Sequence, residues 1–522
     1  MARQLPAECL NEILEYLEDD KLTLHSCLLV NRLWCKISVR IMWRDIWNFK
    51  RFYQQRPLRV ATSILSTLIA CLSNESKELL NRNEIFILTP TSKSPLFNYA
   101  AFCKVLSINE INRIIKNVLR NMPAEINSLN DKNNLVANEV IKIRIVKNVL
   151  RNIPADINSS NDKNNLIANE VIKMFTSQIS SLKKLTYYHN RFYHLNISFP
   201  YFPGARDLSE LCCASNLPTN FFYQLSQICH NLQSIFIEFH NNDVSNELKE
   251  LISSQNNLKT LALSAFDGSW ANIIPTITKH SHTITKLQLY GDNEELPLSF
   301  VRLFSNLQEF IFSFYDGTGF EDFKMLQYVH FSKLQVLKIP YQCPRPQYIM
   351  KFLENNGKNL KKYYTDENDN ALSLSVAKFC PNLKSLFVIF SNGEIDILKK
   401  IFISCQYLES IKIWCGEKFL TEKEVLETVA SHSPNNFCEL RIYNSSNSNI
   451  SSEDLESFFI NWKNRASKKL LSLVIIEDYY ANLLTDYENM DIIEKYENLG
   501  IVKLTTIGYE KEKIDDDLDY YY

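Results

Sequence analysis

Apolar residues recur along most of this chain in one short pattern, L-x-x-L-x-L. Its clearest copy is Leu383-Lys384-Ser385-Leu386-Phe387-Val388. Side chains alternate along a strand, so Leu386 and Val388, two residues apart, share one face. The first apolar residues of the matches are Leu182, Leu208, Leu232, Leu258, Ile284, Leu307, Leu334, Leu360, Leu383, Leu408, Phe437, Leu470 and Ile501. Nine steps lie between 23 and 27 residues, and the last three are 29, 33 and 31. The steadiness predicts a repeated strand, and the longer final steps predict bigger surface loops there. A single such strand cannot bury its apolar face, so the copies must stack.

The stretches between strands have helical spacing. Asp243–Gln255 places Val244, Leu248, Leu251 and Ile252 on one side. Thr421–His432 opens with Thr421 followed three residues later by Glu424, a capping-box pattern, and then presents Val425, Leu426 and Val429. Ser451–Lys463 presents Leu455, Phe458, Phe459 and Trp462. Each period reads as strand, loop, helix, loop. Residues 174–509 therefore resemble leucine-rich repeats, for which a period of 20–29 residues is usual. The Asn or Cys that follows the strand in that family is mostly missing, which predicts irregular turns. The resemblance implies an α/β fold: a curved solenoid with parallel strands on its concave face and helices on its convex face.

Residues 1–48 carry a different pattern. Pro6 stands where a helix can start, and Leu10, Ile13, Leu14 and Leu17 follow as a one-faced stripe. Asp19-Asp20 breaks and restarts the chain. Leu22, Leu24, Cys27, Leu28 and Val30 predict a second helix, and Trp34, Ile37 and Ile41 a third, closed by Trp43 and Trp47. Three helices of this size bury little surface by themselves. The ordered set Leu5-Pro6-x-Glu8, Ile13-Leu14-x-Tyr16-Leu17, Leu22, Leu24, Cys27-x-x-Val30-Asn31-x-x-Trp34 and Trp43 resembles the F-box. What this resemblance implies is docking onto the Skp-type adaptor of an SCF ubiquitin ligase and, through it, a cullin. The implied adaptor contacts are Leu5, Pro6, Glu8, Ile13, Leu14 and Leu17, with Trp34 mainly core.

Residues 49–110 read as a helical linker, with helices over Ile64–Leu72 and Leu96–Val105 around the turn-rich Thr89–Pro95. Residues 111–173 hold a tandem duplication. Arg113–Lys142 and Arg144–Lys173 differ at five of thirty positions, at an offset of 31 residues. Neither copy contains L-x-x-L-x-L, so the segment reads as a duplicated helical element. Ile111, Ile114, Ile115, Val118 and Leu119 form its first apolar stripe, ending near Pro123. No helix breaker separates Leu135 from Asn152, which predicts one long helix joining the copies. The exchange of Leu129 for Ser160 predicts unequal burial of the two. Glu510–Tyr522 is acidic, has no period and reads as a frayed tail.

Composition narrows the function. The net charge of -2 gives no reason to expect nucleic acid or an anionic membrane as a partner, and only 10 glycines argue against glycine-rich phosphate loops. The longest mostly apolar run, Val60–Leu72, is too short to span a bilayer, and no secretory leader is evident. The 13 cysteines form no C-x-x-C pair. Cys229, Cys380 and Cys405 each stand three residues before a repeat's first apolar residue, so they read as buried packing thiols. A reduced cytoplasmic or nuclear protein is expected. His280-Ser281-His282 has no evident third ligand. Tyr187–His194 is aromatic and histidine-rich without metal spacing. No nucleophile elbow, zincin helix, P-loop or dinucleotide fingerprint is present. No cofactor, metal or catalytic site is expected.

Binding chemistry is expected at the strand positions that alternate with the core. These supply Phe236, Tyr290, Ile311, Tyr364, Phe387, Ile389, Trp414 and Tyr443, mixed with Lys184, Glu238, Lys286, Glu309, Lys338, Lys362, Lys412, Glu439 and Arg441. Aromatic and arginine anchors dominate protein interfaces. Phe236, Tyr290, Tyr364, Phe387, Trp414, Arg441 and Tyr443 are the expected contacts to a target protein. Together the two modules imply a non-catalytic substrate receptor. The alternative is an F-box and repeat scaffold with no part in ubiquitin transfer.

Overall fold

The computed structural model describes residues 5–47, 57–83, 85, 87, 95–130, 157–188, 199–241, 244–292, 296–314, 322–341, 344–444, 450–467, 469–477 and 487–508. The fold is α/β, and every ladder between its named strands is parallel and joins sequence neighbours. Two compact units divide the chain. The first holds Met1–Glu238 and Asp243–Leu258, the second Phe239–Asn242 and Lys259–Tyr522.

The first unit starts with helices α1 (Ala7–Glu15), α2 (Lys21–Cys27) and α3 (Arg32–Met42). Asp20 caps α2 by accepting from the Thr23 amide at 3.0 Å, and Asn31 caps α3 by accepting from the Trp34 amide at 3.0 Å. Each cap satisfies an amide that the first helical turn leaves unpaired. Leu10, Leu14, Leu24, Cys27, Ile37 and Ile41 meet in the core, with Leu17, Leu33, Trp34 and Met42 against it. Arg44 grips Glu15 with both guanidinium nitrogens and so ties the end of α3 to α1. That contact holds the Glu15 carboxyl below its ordinary range and the Arg44 guanidinium above its own.

The head is built into the sheet. The Arg44 carbonyl accepts two amides, Lys104 at 2.8 Å and Val105 at 3.0 Å. The Lys104 carbonyl then accepts Lys183 and Lys184, the Lys183 carbonyl accepts Ser209 and Glu210, and the Ser209 carbonyl accepts Gln233 and Ser234. Arg44 thus occupies the place that the second residue of L-x-x-L-x-L fills in Lys183, Ser209 and most later repeats. Trp47 adds a bond from Nε1 to the Val105 carbonyl at 2.6 Å. Strands β1 (Val105–Ser107), β2 (Lys184–Tyr187), β3 (Glu210–Ala214) and β4, which begins at Ser234, follow in that order. The sheet therefore starts inside the stretch expected to be a helical linker. Only Tyr99–Phe102 of the expected Leu96–Val105 helix is helical, because Val105 is drawn into β1. Helix α4 (Pro57–Cys71) contains the expected Ile64–Leu72 helix except Leu72, and Thr89–Ser94 lies outside the described residues.

The duplicated segment connects β1 to β2. Its helices are α7 (Ile108–Asn130) and α8 (Ile157–Gln178), after α5 (Asn74–Arg82) and α6 (Tyr99–Phe102). Ile114, Ile115 and Val118 of the first copy are buried, as are Ile111 just before it and Ile167, Val171 and Ile172 of the second. The front half of one copy and the back half of the other thus supply the buried surface that a single copy would. The expected joining helix from Leu135 to Asn152 and the Leu129/Ser160 comparison lie outside the described residues.

The second unit carries β5 (Thr260–Gly268), β6 (Lys286–Gly291), β7 (Glu309–Phe314), β8 (Val336–Ile339), β9 (Lys362–Thr365), β10 (Ser385–Phe387), β11 (Ser410–Cys415), β12 (Glu439–Asn444), β13 (Leu471–Glu477) and β14 (Val502–Gly508). Leu261, Leu287, Phe310, Leu337, Tyr363, Leu386, Ile411, Leu440 and Leu473 are in register and all buried. Helices Pro346–Asn356, Asn370–Phe379, Ile395–Ser404, Glu422–His432 and Ser452–Lys463 intervene between successive strands and bury their apolar sides. Thr421 and Glu424 form the expected capping box. One repeat departs from the pattern: Leu470 is exposed, and Leu471 is buried instead.

Small polar groups stitch the turns before the strands. Asn306 Nδ2 donates to the His282 carbonyl at 2.6 Å, Asn359 to Ser332 at 3.3 Å and Asn382 to Lys358 at 2.8 Å. Three residues before each repeat's first apolar position, Cys405 Sγ donates to the Cys380 carbonyl at 3.3 Å. In the first unit Cys229 Sγ reaches Ala205 at 3.0 Å in the same way. Gly357 stands in this column, where a Cβ would lie 2.6 Å from the Phe379 carbonyl oxygen and 2.8 Å from Cys380 Sγ.

Two stability outcomes follow from this packing. Removing residues 125–155 joins Ala124 to Asp156 and restores one intact copy of the duplication. Both buried half-stripes survive, so the shortened chain should melt cooperatively close to the temperature of the parent in calorimetry. Gly357→Ala should lower stability by about 1–3 kcal/mol through overpacking, read as a shift in the midpoint of urea unfolding with an unchanged slope.

Candidate functional site

The head exposes several large apolar side chains. Along α1, Cys9, Ile13 and Tyr16 form a second stripe, about 100° round the helix from Leu10, Leu14 and Leu17. Ile13 is 50% exposed and Tyr16 92%. Leu5, Leu22, Leu29 and Val30 are exposed as well, and Pro6 and Glu8 lie at the surface. Among the expected adaptor contacts, Leu5, Pro6, Glu8 and Ile13 are therefore accessible. Leu14 is not: at 1% exposure it belongs to the head's core, because the i, i+3, i+4, i+7 stripe that marks a helix also marks its buried side. Leu17 is half-buried against the same core. The exposed Tyr16, Leu22, Leu29 and Val30 were not among the expected contacts. Leu22 and Val30 read as helix-core residues in the sequence, but α2 ends at Cys27 and Val30 falls beyond it.

On the open face of the sheet in the first unit, Phe236 is buried, with the Tyr188 ring 6.2 Å away. It is not the exposed anchor expected. Lys184 pairs across the strands with Glu210 at 3.2 Å.

In the second unit the open face is crowded for a geometric reason. Adjacent strands are about 4.8 Å apart, less than the width of an aromatic ring plus its contact shell. Large neighbours in register therefore cover one another. Tyr290 is fully buried and accepts a bond from Gln288 Nε2 at 2.9 Å, and Phe387, Ile389 and Ile311 are buried too. Tyr290 and Phe387 are thus corrected from exposed contacts to face-packing residues, and Tyr443 is nearly so at 7% exposure. A mixed rung over β9 to β12 reaches solvent through Tyr364, Lys412 and Arg441. Tyr364, Phe387, Lys412 and Arg441 stand side by side in register. The Tyr364 and Phe387 rings are 4.4 Å apart, and Lys412 Nζ sits 5.0 Å from the centre of one and 5.5 Å from the other. Such a cation over a ring contributes about 0.5–2 kcal/mol, depending on solvent access. Arg441 is held by Glu439 in its own strand at 2.9 Å.

One rung further along the strands, Trp414 packs against Tyr443 in a tilted contact with ring centres 4.6 Å apart and meets Phe419 edge to face at 5.5 Å. Val474, Ile476 and Ile507 extend this cluster across β13 and β14. Trp414, Tyr443 and Arg441 do lie together, as their adjacent strands require, and Trp414, Tyr364 and Arg441 are the half-exposed members of the expected set. Elsewhere on this face Lys286 pairs with Glu309 at 3.2 Å.

Chemically reactive groups are muted. Burial pushes the thiols of Cys229 and Cys405 up to about 12 and that of Cys380 higher still. His280 is buried, and His282 Nδ1 lies 3.3 Å from Ser305 Oγ. Among the described residues no three His, Cys, Asp or Glu side chains converge on a point that could hold a metal. Described residues also include no helix long and apolar enough to cross a membrane. His189, Asn190 and Arg191–His194 of the aromatic, histidine-rich stretch lie outside them.

No protein-family model matches this sequence, and no curated protein matches it. Several solved structures are similar to it at low identity. The leucine-rich repeat-containing protein LegL7 from Legionella pneumophila is 11% identical over 55% of this chain and 98% of its own, with a TM-score of 0.31. A chain of the yeast Rad7 and Elc1 complex is 13% identical over 73% of this chain and 100% of its own, with a TM-score of 0.37. A leucine-rich repeat protein of Leptospira interrogans is 14% identical over 65% of this chain and 87% of its own, with a TM-score of 0.30.

The buried thiols should resist modification. Above pH 8 a water-soluble disulfide reagent should label the exposed Cys9 of the native protein promptly. Cys229, Cys380 and Cys405 should react only after unfolding, as read by peptide mapping, because burial disfavours the thiolate that reacts.

Proposed function

We propose that this chain is a non-catalytic substrate-recognition subunit of an SCF-type ubiquitin ligase. Its head docks onto a Skp-type adaptor and, through it, a cullin. Its repeats, read as leucine-rich repeats, hold a target protein through the open face of the second unit. The observation that carries this reading is the apolar surface of the head. Leu5, Ile13, Tyr16, Leu22, Leu29 and Val30 are exposed on a module whose own core is complete without them. Leaving that much apolar surface in water is unfavourable unless a partner covers it, and these positions fall within the residues that resemble the F-box.

The chain needs no catalytic group for this role. Tethering a target beside a conjugating enzyme raises its effective concentration without any new bond chemistry. The half-exposed Tyr364, Trp414 and Arg441 provide the kind of side chains that anchor protein interfaces. A reduced intracellular compartment suits the reading and suits thiols left unpaired.

Affinity capture from cells with the full chain tests it. Wild type should recover a Skp-type adaptor and a cullin. Ile13→Glu should reduce adaptor binding at least tenfold, roughly 1.4 kcal/mol, while leaving the melting temperature near that of wild type because Ile13 is outside the core. Trp414→Ala should retain adaptor and cullin but lose target. Recovery of neither adaptor nor cullin by wild type would sink the proposal, and recovery of adaptor without cullin would favour a scaffold.

A further inference from the structure

The strand-start edge of the second unit holds a groove that the proposed head-and-face reading does not use. It is a cavity of about 400 Å³ crossing the turns that lead into β8 to β11, and its lining includes Lys333, Lys358, Lys361, Lys384, Asn359 and Tyr407. No carboxylate lines it. All four lysines are exposed. Lys384 pairs with Glu409 on the far side at 2.7 Å, and Lys333 donates to Asn306 Oδ1 at 2.7 Å. Among the described residues no acid pairs with Lys358 or Lys361.

Glu409 offsets Lys384, while Lys358 and Lys361 add charge that no acid among the described residues offsets. Lys361 and Lys384 occupy the same repeat position on adjacent strands, about 4.8 Å apart at the backbone, and like charges directly opposite one another destabilise a sheet. The same position carries Thr285, Gln308 and Gln335 on the three repeats before and Glu409 on the one after, so these two lysines are neighbours in the sheet while the other lysine of this position in the unit, Lys259, stands apart from them. Its floor is fixed, because the backbone amides of Lys384 and Ser385 both bond the Lys361 carbonyl and the Asn382 side chain bonds the Lys358 carbonyl. Ammonium groups on a braced floor, with the Tyr407 ring 56% exposed at the rim, match a short run of anionic side chains.

We propose that this groove seats an anionic segment of a partner protein, with phosphorylated or carboxylate side chains meeting Lys358, Lys361 and Lys384. The inference rests on the reading of the second unit as the target-binding part and names the chemistry of its target. A peptide fits better than a nucleic acid: Glu409 closes the basic track on the β11 side, and the whole chain carries a net charge of -2, whereas nucleic-acid binding draws on an extended basic surface.

The test is fluorescence anisotropy on the full chain with a labelled ten-residue peptide bearing two phosphoserines, beside matched glutamate and serine versions. The phosphorylated peptide should bind, and the glutamate version should bind more weakly. The serine version should not bind. Raising the salt should weaken binding. Lys358→Glu with Lys361→Glu should lower affinity at least tenfold, and both are surface positions whose fold can be checked by circular dichroism. Ile13→Glu should leave this binding intact, so failure of the adaptor reading and failure of the groove are told apart. Four results would overturn the proposal: no binding by wild type; equal binding by the double variant; tighter, variant-sensitive binding of a single-stranded RNA of equal charge; or binding that appears only after removal of residues 510–522, which would make the chain's own acidic end the occupant.

Discussion

A single backbone contact sets the architecture of this protein. In most repeats the carbonyl of the second residue of L-x-x-L-x-L accepts two successive amides from the next repeat, as Lys361 accepts Lys384 at 2.8 Å and Ser385 at 3.0 Å. Two donors on one oxygen fix both the distance and the register of the incoming strand. Every later ladder bond inherits that register, and with it the face on which each side chain falls. The contact asks nothing of the side chain at that position, so Lys, Ser, Thr, Gln and Glu all occur there. The length of chain between two such carbonyls is equally free, and the connection from β1 to β2 contains both copies of a 31-residue duplication.

The head uses the same device. Because the Arg44 carbonyl takes Lys104 and Val105, the end of α3 plays the part of a preceding strand and covers an edge that would otherwise be open to pairing. A three-helix module of this size would be marginal by itself. Its bonds to β1 through Arg44 and Trp47 make its folding depend on the sheet, and the Glu15–Arg44 clamp ties α1 into the same structure. The Glu15 carboxyl is held below its ordinary value in the folded state. Its contribution is therefore present above the ordinary carboxylate range and is lost as pH falls through the lowered value.

Much of this was legible in the sequence because the core repeats with the backbone. Leu386 and Val388 could be placed on one face from alternation alone, and Thr421 and Glu424 formed the cap their spacing implies. What escaped was anything decided between strands. Nothing local in Val105–Ser107 distinguishes it from the end of a helix; only pairing with Lys184–Thr186 makes it a strand. The open-face residues failed for a related reason. Alternation places Phe387 and Tyr290 away from the core, but whether they meet water depends on what the neighbouring strand presents at the same rung. Tyr364 and Lys412 flank Phe387 in register on the two neighbouring strands, and that is visible only once the strands are aligned.

The exposed stripe of the head poses the complementary problem. Leu14 and Ile13 are adjacent in sequence and equally apolar, yet one is 1% exposed and the other 50%. Helical periodicity cannot tell them apart when two apolar stripes run side by side, since together they read as one broad face. The distinction comes from core volume: Leu10, Leu14, Leu24, Cys27, Ile37 and Ile41 fill the space between three short helices, and no room is left for a second stripe. Ile13 and Tyr16 are therefore surplus to the folding of the head. A surplus apolar stripe beside a complete core is what a docking surface looks like before its partner arrives, and this excess, more than the presence of any one residue, separates a binding module from a cap that merely ends a sheet.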